Sequence, residues 1–150
     1  MRFQNLSRVP VERLRGADIM HAVVRNIMLA DASVAALLGQ NIHWSDAPAN
    51  SPYPLAVLQK VSERRSYALE GDDGLGRHLV QIDVYASEHR GMRQASQAVC
   101  KLWSGLRSAG VAGAFVQNIR ETVERDTGAD GLLYRVSLDV LIIIKETSDE

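Results

Sequence analysis

Two regular patterns of apolar and polar positions meet near the middle of the chain and organise the rest of it. From Arg77 to Ser87 apolar residues alternate with polar ones, which indicates a strand with one buried and one wetter face. From Met92 to Leu106 apolar residues recur every three or four positions, which indicates one stripe of a helix. We expect this strand and this helix to cover each other. The inward positions are Val80, Ile82, Val84 and Ala86 in the strand, and Met92, Ala95, Ser96, Val99, Trp103 and Leu106 in the helix.

The remaining patterns predict hairpins on either side of this central helix. The predicted fold is therefore α+β: a mostly antiparallel sheet of about four strands, with one long and one or two shorter helices packed on one face. Further helices are predicted over Asp18–Ala30 and Val34–Leu38, strands over Leu55–Val61, Val116–Glu124 and Leu133–Lys145, and at most a short strand at Ile42–Trp44.

The chain divides into an arm, one domain and a tail. Residues 1–16 lack a clean period and are predicted to form a flexible N-terminal arm, residues 17–146 a single α+β domain, and residues 147–150 an acidic tail. Inside the domain, Ser62–Gly76 is predicted to be a long charged loop with three glycines, and loops of this length are usually functional or disordered. The arm carries Arg2, Arg8, Arg13 and Arg15.

Composition narrows the class of protein. The chain has 150 residues and a formal net charge of −1, which argues against a generic nucleic-acid binder with its usual basic excess. Cys100 is the single cysteine, so the chain holds no intramolecular disulfide and no multi-cysteine metal site. No apolar run has the length of a membrane span, and the N-terminus lacks the apolar block of a signal peptide. We expect a protein that is soluble, free of membrane and assembled in the cytoplasm.

No motif of catalysis or cofactor binding stands out. The glycines at positions 71, 74 and 76 match neither the dinucleotide fingerprint nor the phosphate loop, and they lead into a strand rather than a helix. The four histidines are scattered without metal-ligand spacing, and no Gly-x-Ser-x-Gly elbow is present. Cys100, Trp44 and Trp103 are interpreted as core residues. We therefore predict no enzyme, and no catalytic, cofactor-binding or metal-binding residue.

Three carboxylates leave one alternative open. Asp83, Glu121 and Asp139 all fit the wetter sheet face, where clustered carboxylates are able to bind a divalent ion. The favoured interpretation is a solvated or interface face, paired with arginines such as Arg120 and Arg135.

The order and spacing of these segments resemble the tail-completion proteins of long-tailed bacteriophages, which are related in fold to tail terminators. The resemblance covers roughly Asp18–Lys145. It starts with an N-terminal helix leading into ADASVAALLG, continues through DAPANSPYPLAVLQ and RHLVQIDVYASEHRGMRQASQAV, and ends in the long strand YRVSLDVLIII.

The resemblance implies a structural virion protein at the head–tail interface. It implies a ring, typically hexameric, that completes the tail and joins it to the head connector while DNA passes through the channel without sequence-specific binding. The implied partners are further copies of the chain, a head–tail connector or adaptor protein and the tail-tube protein. Our hypothesis places inter-ring or lumen contacts on the charged loop and leaves the arm's partner open. The loop residues are Arg64, Arg65, Glu70, Asp72, Asp73 and Arg77.

Two other functions remain open at this point. A small cytoplasmic adaptor would need the same kind of surface, and a ligand-binding or enzymatic α+β domain would need a site formed only in space. A concave pocket with converging polar groups would favour the second.

Overall fold

The computed structural model describes residues 16–68, 71–108, 110–126 and 131–145. The helices are α1 (Gly16–Ala30), α2 (Ala32–Leu38) and α3 (His89–Trp103), and the strands are β1 (Ile42–Trp44), β2 (Leu55–Ala68), β3 (Gly71–Ala86), β4 (Val111–Asp126) and β5 (Gly131–Lys145). The strands form a five-stranded sheet in the order β1-β2-β3-β5-β4, in which only the β1–β2 pair is parallel. The predicted α+β class is confirmed, with one strand more than the four expected.

The core lies between the sheet and the three helices. The even-numbered residues of β3 and β5 face the helices, as the alternating pattern predicts, and α3 buries most of its predicted stripe against them. Ser96 of that stripe is only half-buried, and Leu106 lies beyond the end of α3 at Trp103. Trp103 is the largest of the fully buried side chains. The buried residues of α3 are Met92, Ala95, Val99 and Trp103, and those facing them from β3 and β5 include Val80, Ile82, Val84, Val136, Leu138 and Val140.

Local interactions fix the first two helices and β1. The Asp31 carboxylate accepts a hydrogen bond from the Val34 backbone at 3.0 Å and caps α2, and Gly39 ends α2 with φ +57°. The Trp44 indole donates to the His21 carbonyl at 3.1 Å, and Arg25 Nε donates to the Ile42 carbonyl at 2.9 Å. These two bonds attach β1 to α1. Within the described ranges, no single helix is long and apolar enough to span a membrane; α1 and α2 reach that length only together, across a bend of 86°.

The predicted loop at Ser62–Gly76 is wrong, because β2 continues to Ala68 and β3 begins at Gly71. Two irregularities in the β2–β3 register, between Lys60 and Ser62 and between Arg65 and Tyr67, interrupt the alternation on which the prediction depended. A two-stranded hairpin also has no deeply buried face, so charged residues are tolerated on both of its sides.

Candidate interaction surfaces

Two hairpins extend from opposite ends of the sheet. At one end β3 and β5 begin to pair at Leu75 and Lys145, and the β2–β3 hairpin continues beyond that pair. At the other end β3 and β5 stop pairing at Ala86 and Tyr134, and the β4–β5 hairpin continues beyond them. Beyond these points, among the described residues, each hairpin is held by pairing between its own two strands.

A polar cluster lies at the base of the β2–β3 hairpin. The Glu63 carboxylate lies 3.1 Å from Lys60 Nζ and 3.5 Å from Nδ1 of His78, which is fully buried. Sequence reasoning did not single out His78, although the period of two that places Val80 and Ile82 on the inward face also places His78 there. The cluster connects the hairpin to the core.

The structure brings two of the predicted loop residues together. Arg64 and Arg77 are direct cross-strand partners on β2 and β3, and Arg64 is exposed. The other predicted interaction residues lie outside the described side chains: Arg65, Glu70, Asp72 and Asp73 of the hairpin, and Arg2, Arg8, Arg13 and Arg15 of the arm.

The sheet face opposite the helices, here called the open face, carries a layer of paired charges. Arg120 contacts Asp139 through two nitrogen–oxygen pairs, at 2.5 and 3.3 Å, and the hydrogen bond to Asp139 raises the pKa of Arg120. Arg135 lies 3.0 Å from Glu124 and 3.5 Å from the Tyr85 hydroxyl, and the hydrogen bond to Tyr85 raises the pKa of Arg135. Both guanidinium groups therefore stay charged, as the interpretation of a paired charged face requires.

The register separates the three carboxylates considered as an ion site. Asp83 and Asp139 lie on the open face, whereas Glu121 pairs with the inward residue Val136 and faces α3. Within the described residues, no group of three metal-ligating side chains comes together. The common site for all three carboxylates that the sequence left open is therefore not formed.

The outward side of α3 is cationic. Arg90, Arg93 and Lys101 are exposed there, and residues 89–103 contain no Asp or Glu. A shallow cleft of about 250 Å³ lies along this side, lined by His89, Arg90, Arg93, Gln94 and Gln97. Sequence reasoning missed this surface because it followed only the apolar stripe of the helix. The residues between the stripe positions, which include Arg93 and Lys101 and no acid, would have predicted a cationic side.

The three residues interpreted as core are placed as expected. Trp103 is fully buried, Trp44 packs against the core beside the His21 ring, and Cys100 is half-buried on the flank of α3. The Cys100 sulfur lies 3.9 Å from the Ser104 hydroxyl. None of these three side chains contributes to the charged surfaces described above.

The fold and these surfaces define a small α+β protein with charged hairpins at both ends of its sheet. The family model described as tail completion protein gp17 matches residues 22–145. Since that match spans most of the chain, the protein belongs to the tail completion protein gp17 family, and it is a structural protein of a phage tail and of the virion.

One solved structure has the same fold. A chain from the virion of a native gene transfer agent (GTA) particle is 20% identical, with a TM-score of 0.63 over 81% of this chain and 91% of that chain. At this identity the likeness concerns the fold alone. A second solved chain, 19% identical over 91% of this chain and 100% of its own length, has a TM-score of only 0.46. No curated protein sequence matches the chain.

Proposed function

We propose that this protein forms a closed ring, a hexamer, which completes the phage tail and joins it to the head connector around the DNA channel. Its partners are then other copies of the chain, the connector or adaptor protein and the tail-tube protein. DNA passes through the ring without sequence-specific binding. The protein acts through these contacts and not through catalysis.

One observation carries the joining role: the two hairpins extend from opposite ends of a single sheet. A protein that joins two assemblies along an axis needs a contact at each end and a rigid body between them. The β2–β3 hairpin supplies one contact and the β4–β5 hairpin the other, and the buried strands between them supply the rigid body. Family membership makes tail components the partners to test.

The charged hairpin residues are the proposed contacts at the first end. Arg64, which is exposed on β2, is suited to an acidic group on the connector, the tail tube or a neighbouring ring, and Arg77 is its cross-strand partner on β3. Arg65, Glu70, Asp72 and Asp73 are assigned to the same contact from the sequence. The four arginines of the arm, and its extent over residues 1–16, remain sequence predictions.

The test is a binding experiment with separated partners. The chain is mixed in turn with its cognate tail tubes and its cognate head connectors, and bound rings are counted by negative-stain electron microscopy. Two matched variants each reverse one exposed arginine, Arg64→Glu near the β2–β3 hairpin tip and Arg125→Glu near the β4–β5 hairpin tip. We expect each variant to lose one partner and to keep the other.

A third variant controls for charge reversal as such. Lys101→Glu changes an exposed charge on α3, away from both hairpin tips, and should bind both partners like the wild type. If either hairpin variant is folded but loses both partners, the assignment of one partner to each hairpin is contradicted. A wild-type chain that binds neither tail tubes nor connectors would overturn the joining function itself.

A further inference from the structure

Four of the six exposed large apolar side chains in the described part of the chain lie on strands with an open edge. The exposure of the six ranges from 42% for Tyr53 to 55% for Val123. Phe115, Ile119 and Val123 lie on β4, the strand at one edge, and Leu132 lies on β5 opposite Arg125 of β4. Val61 lies on β2 beyond the residues that pair with β1, and Tyr53 precedes β2.

Both edges also present strand backbone with an open side. Among the strands that the structure describes, β4 is the last of the sheet, and it pairs with β5 on one side only. At the other edge β1 is short and pairs with β2 only as far as Leu58, so β2 has no outer partner strand from Gln59 onward within the described ranges. Long open edges with apolar side chains are the places where a second chain pairs with a sheet.

The β4 edge has room for such a partner beside α3. A cleft of about 250 Å³ runs between α3 and the sheet, and Val136 and Leu138 contribute apolar surface to it. Ile119 and Glu121 of β4 line its outer side, while Arg93 and Gln97 line it from the helix. The cleft thus combines an apolar lining with charged residues of both signs at its margin, as is typical of a protein interface.

The strand directions decide which edges are able to meet in a ring. From β2 to β4 the strand order is β2-β3-β5-β4, and each of these three neighbouring pairs is antiparallel. The strands β2 and β4 therefore run in opposite directions. When a second copy is placed beside the first in the same orientation, its β2 edge lies antiparallel to the first copy's β4 edge. Such a contact uses two different surfaces, repeats from copy to copy, and closes into a ring when the rotation permits.

In the alternative contact, β4 of one copy pairs with β4 of another. This contact uses only one of the two open edges of the sheet. It is a two-fold contact that ends at a dimer, and it leaves Val61 and Tyr53 exposed.

We propose that the β4 edge of one copy, centred on Ile119 and Val123, packs against the β2 edge of the next copy, centred on Val61. This contact is the subunit interface of the ring, and in that respect the inference rests on the proposed function. It goes beyond that function by assigning the interface to two particular and different edges of the sheet.

The experiment blocks one edge at a time and then mixes the blocked chains. Ile119→Glu closes the β4 edge and Val61→Glu closes the β2 edge, and sedimentation velocity over a concentration series gives the mass of each species. We expect the wild type to assemble beyond a dimer, and each variant alone to weaken self-association by at least about tenfold. An equimolar mixture should form a dimer of the two variants and nothing larger, because one intact edge of each kind remains.

Controls separate assembly from folding. Val123→Glu blocks the β4 edge at a second position. Gln94→Glu adds the same charge at an exposed position of α3. Urea unfolding checks that every variant is folded. If the folded edge variants still form rings, this interface is wrong but the ring itself stands. If the equimolar mixture stays monomeric, this interface is also wrong. A wild-type chain that stays monomeric both alone and with tail tubes would overturn the interface together with the ring.

Discussion

Gln81 donates hydrogen bonds from its side-chain nitrogen to both carboxylate oxygens of Asp83, two residues along the same strand, at 3.0 and 3.1 Å. Asp83 is only 4% exposed, although it lies on the open face. A buried carboxylate needs donors and nearby positive charge, and the guanidinium groups of Arg120 and Arg135 both interact electrostatically with Asp83. Gln81 therefore stabilises the Asp83 carboxylate on the open face.

Removing the amide of Gln81 should destabilise the fold through Asp83. Gln81→Ala leaves a buried carboxylate without these two hydrogen bonds, and we expect the free energy of unfolding to fall by about 1–3 kcal/mol. Urea denaturation followed by circular dichroism measures the change. Gln59→Ala is the matched control, since Gln59 is the cross-strand partner of Gln81 on β2 and is exposed. Equal losses in the two variants would contradict the role of Gln81.

The sequence predicted the parts of this fold that depend on one regular period. The alternation through Val80, Ile82 and Val84, and the part of the helical stripe that ends at Trp103, both have a buried side and a solvated side, so the residue pattern predicts them directly. The pattern did not predict the end of the helix, because Leu106 continues the spacing beyond Trp103. The hairpin beyond Ser62 was missed because bulges and charges hide its period. The alternation places Asp83 on the wetter face of β3, but Asp83 is buried there because β3 is central in the sheet.

The candidate surfaces were less predictable than the core. The charges at Arg64 and Arg77 were visible in the sequence, but their direct opposition depends on the β2–β3 register. The edge positions of Ile119 and Val61 depend on the strand order, in which β5 inserts between β3 and β4. Strand order is set by contacts between residues far apart in the chain, and local periodicity carries no record of it.

Trp103 should be among the most costly residues to truncate. It is fully buried at the end of α3, where it belongs to the core between helix and sheet. Trp103→Ala should lower the free energy of unfolding by about 3–5 kcal/mol, because burial is lost and a cavity remains. Lys101→Ala, at an exposed position of the same helix, should change stability by less than about 0.5 kcal/mol. Comparable urea midpoints for the two variants would contradict this assignment of the core.

Gly39 holds a backbone conformation that other residues rarely adopt. It ends α2 with φ +57° and ψ −126°, and its backbone N–H bonds to the Ala35 carbonyl. Gly39→Ala should cost about 1–3 kcal/mol from backbone strain alone, since no neighbouring atom lies within 4 Å of the added methyl group. Gly131→Ala also meets open space but needs no positive φ, so thermal unfolding should show little or no loss there. A loss at Gly131 equal to that at Gly39 would contradict the strain argument.

His43 should make stability depend on pH in a defined direction. Partial burial, and secondly the charge of Arg25, lower the pKa of His43 below its ordinary value of 6.5. In acid the unfolded chain therefore takes up a proton at this position more readily than the folded chain does. The contribution of His43 to stability is complete above about pH 6.5 and is lost as the pH falls toward the lowered pKa.

The measurement is the urea midpoint at several pH values between about 5.5 and about 7.5, a range chosen to lie above the ordinary carboxylate pKa values. His43→Gln should remove part of the loss of stability on acidification, and its curve should be flatter than that of the wild type. His89→Gln, at an exposed position of α3, controls for the removal of a histidine. If His43→Gln leaves the slope unchanged, or makes it steeper, then the folded chain does not disfavour protonation of His43.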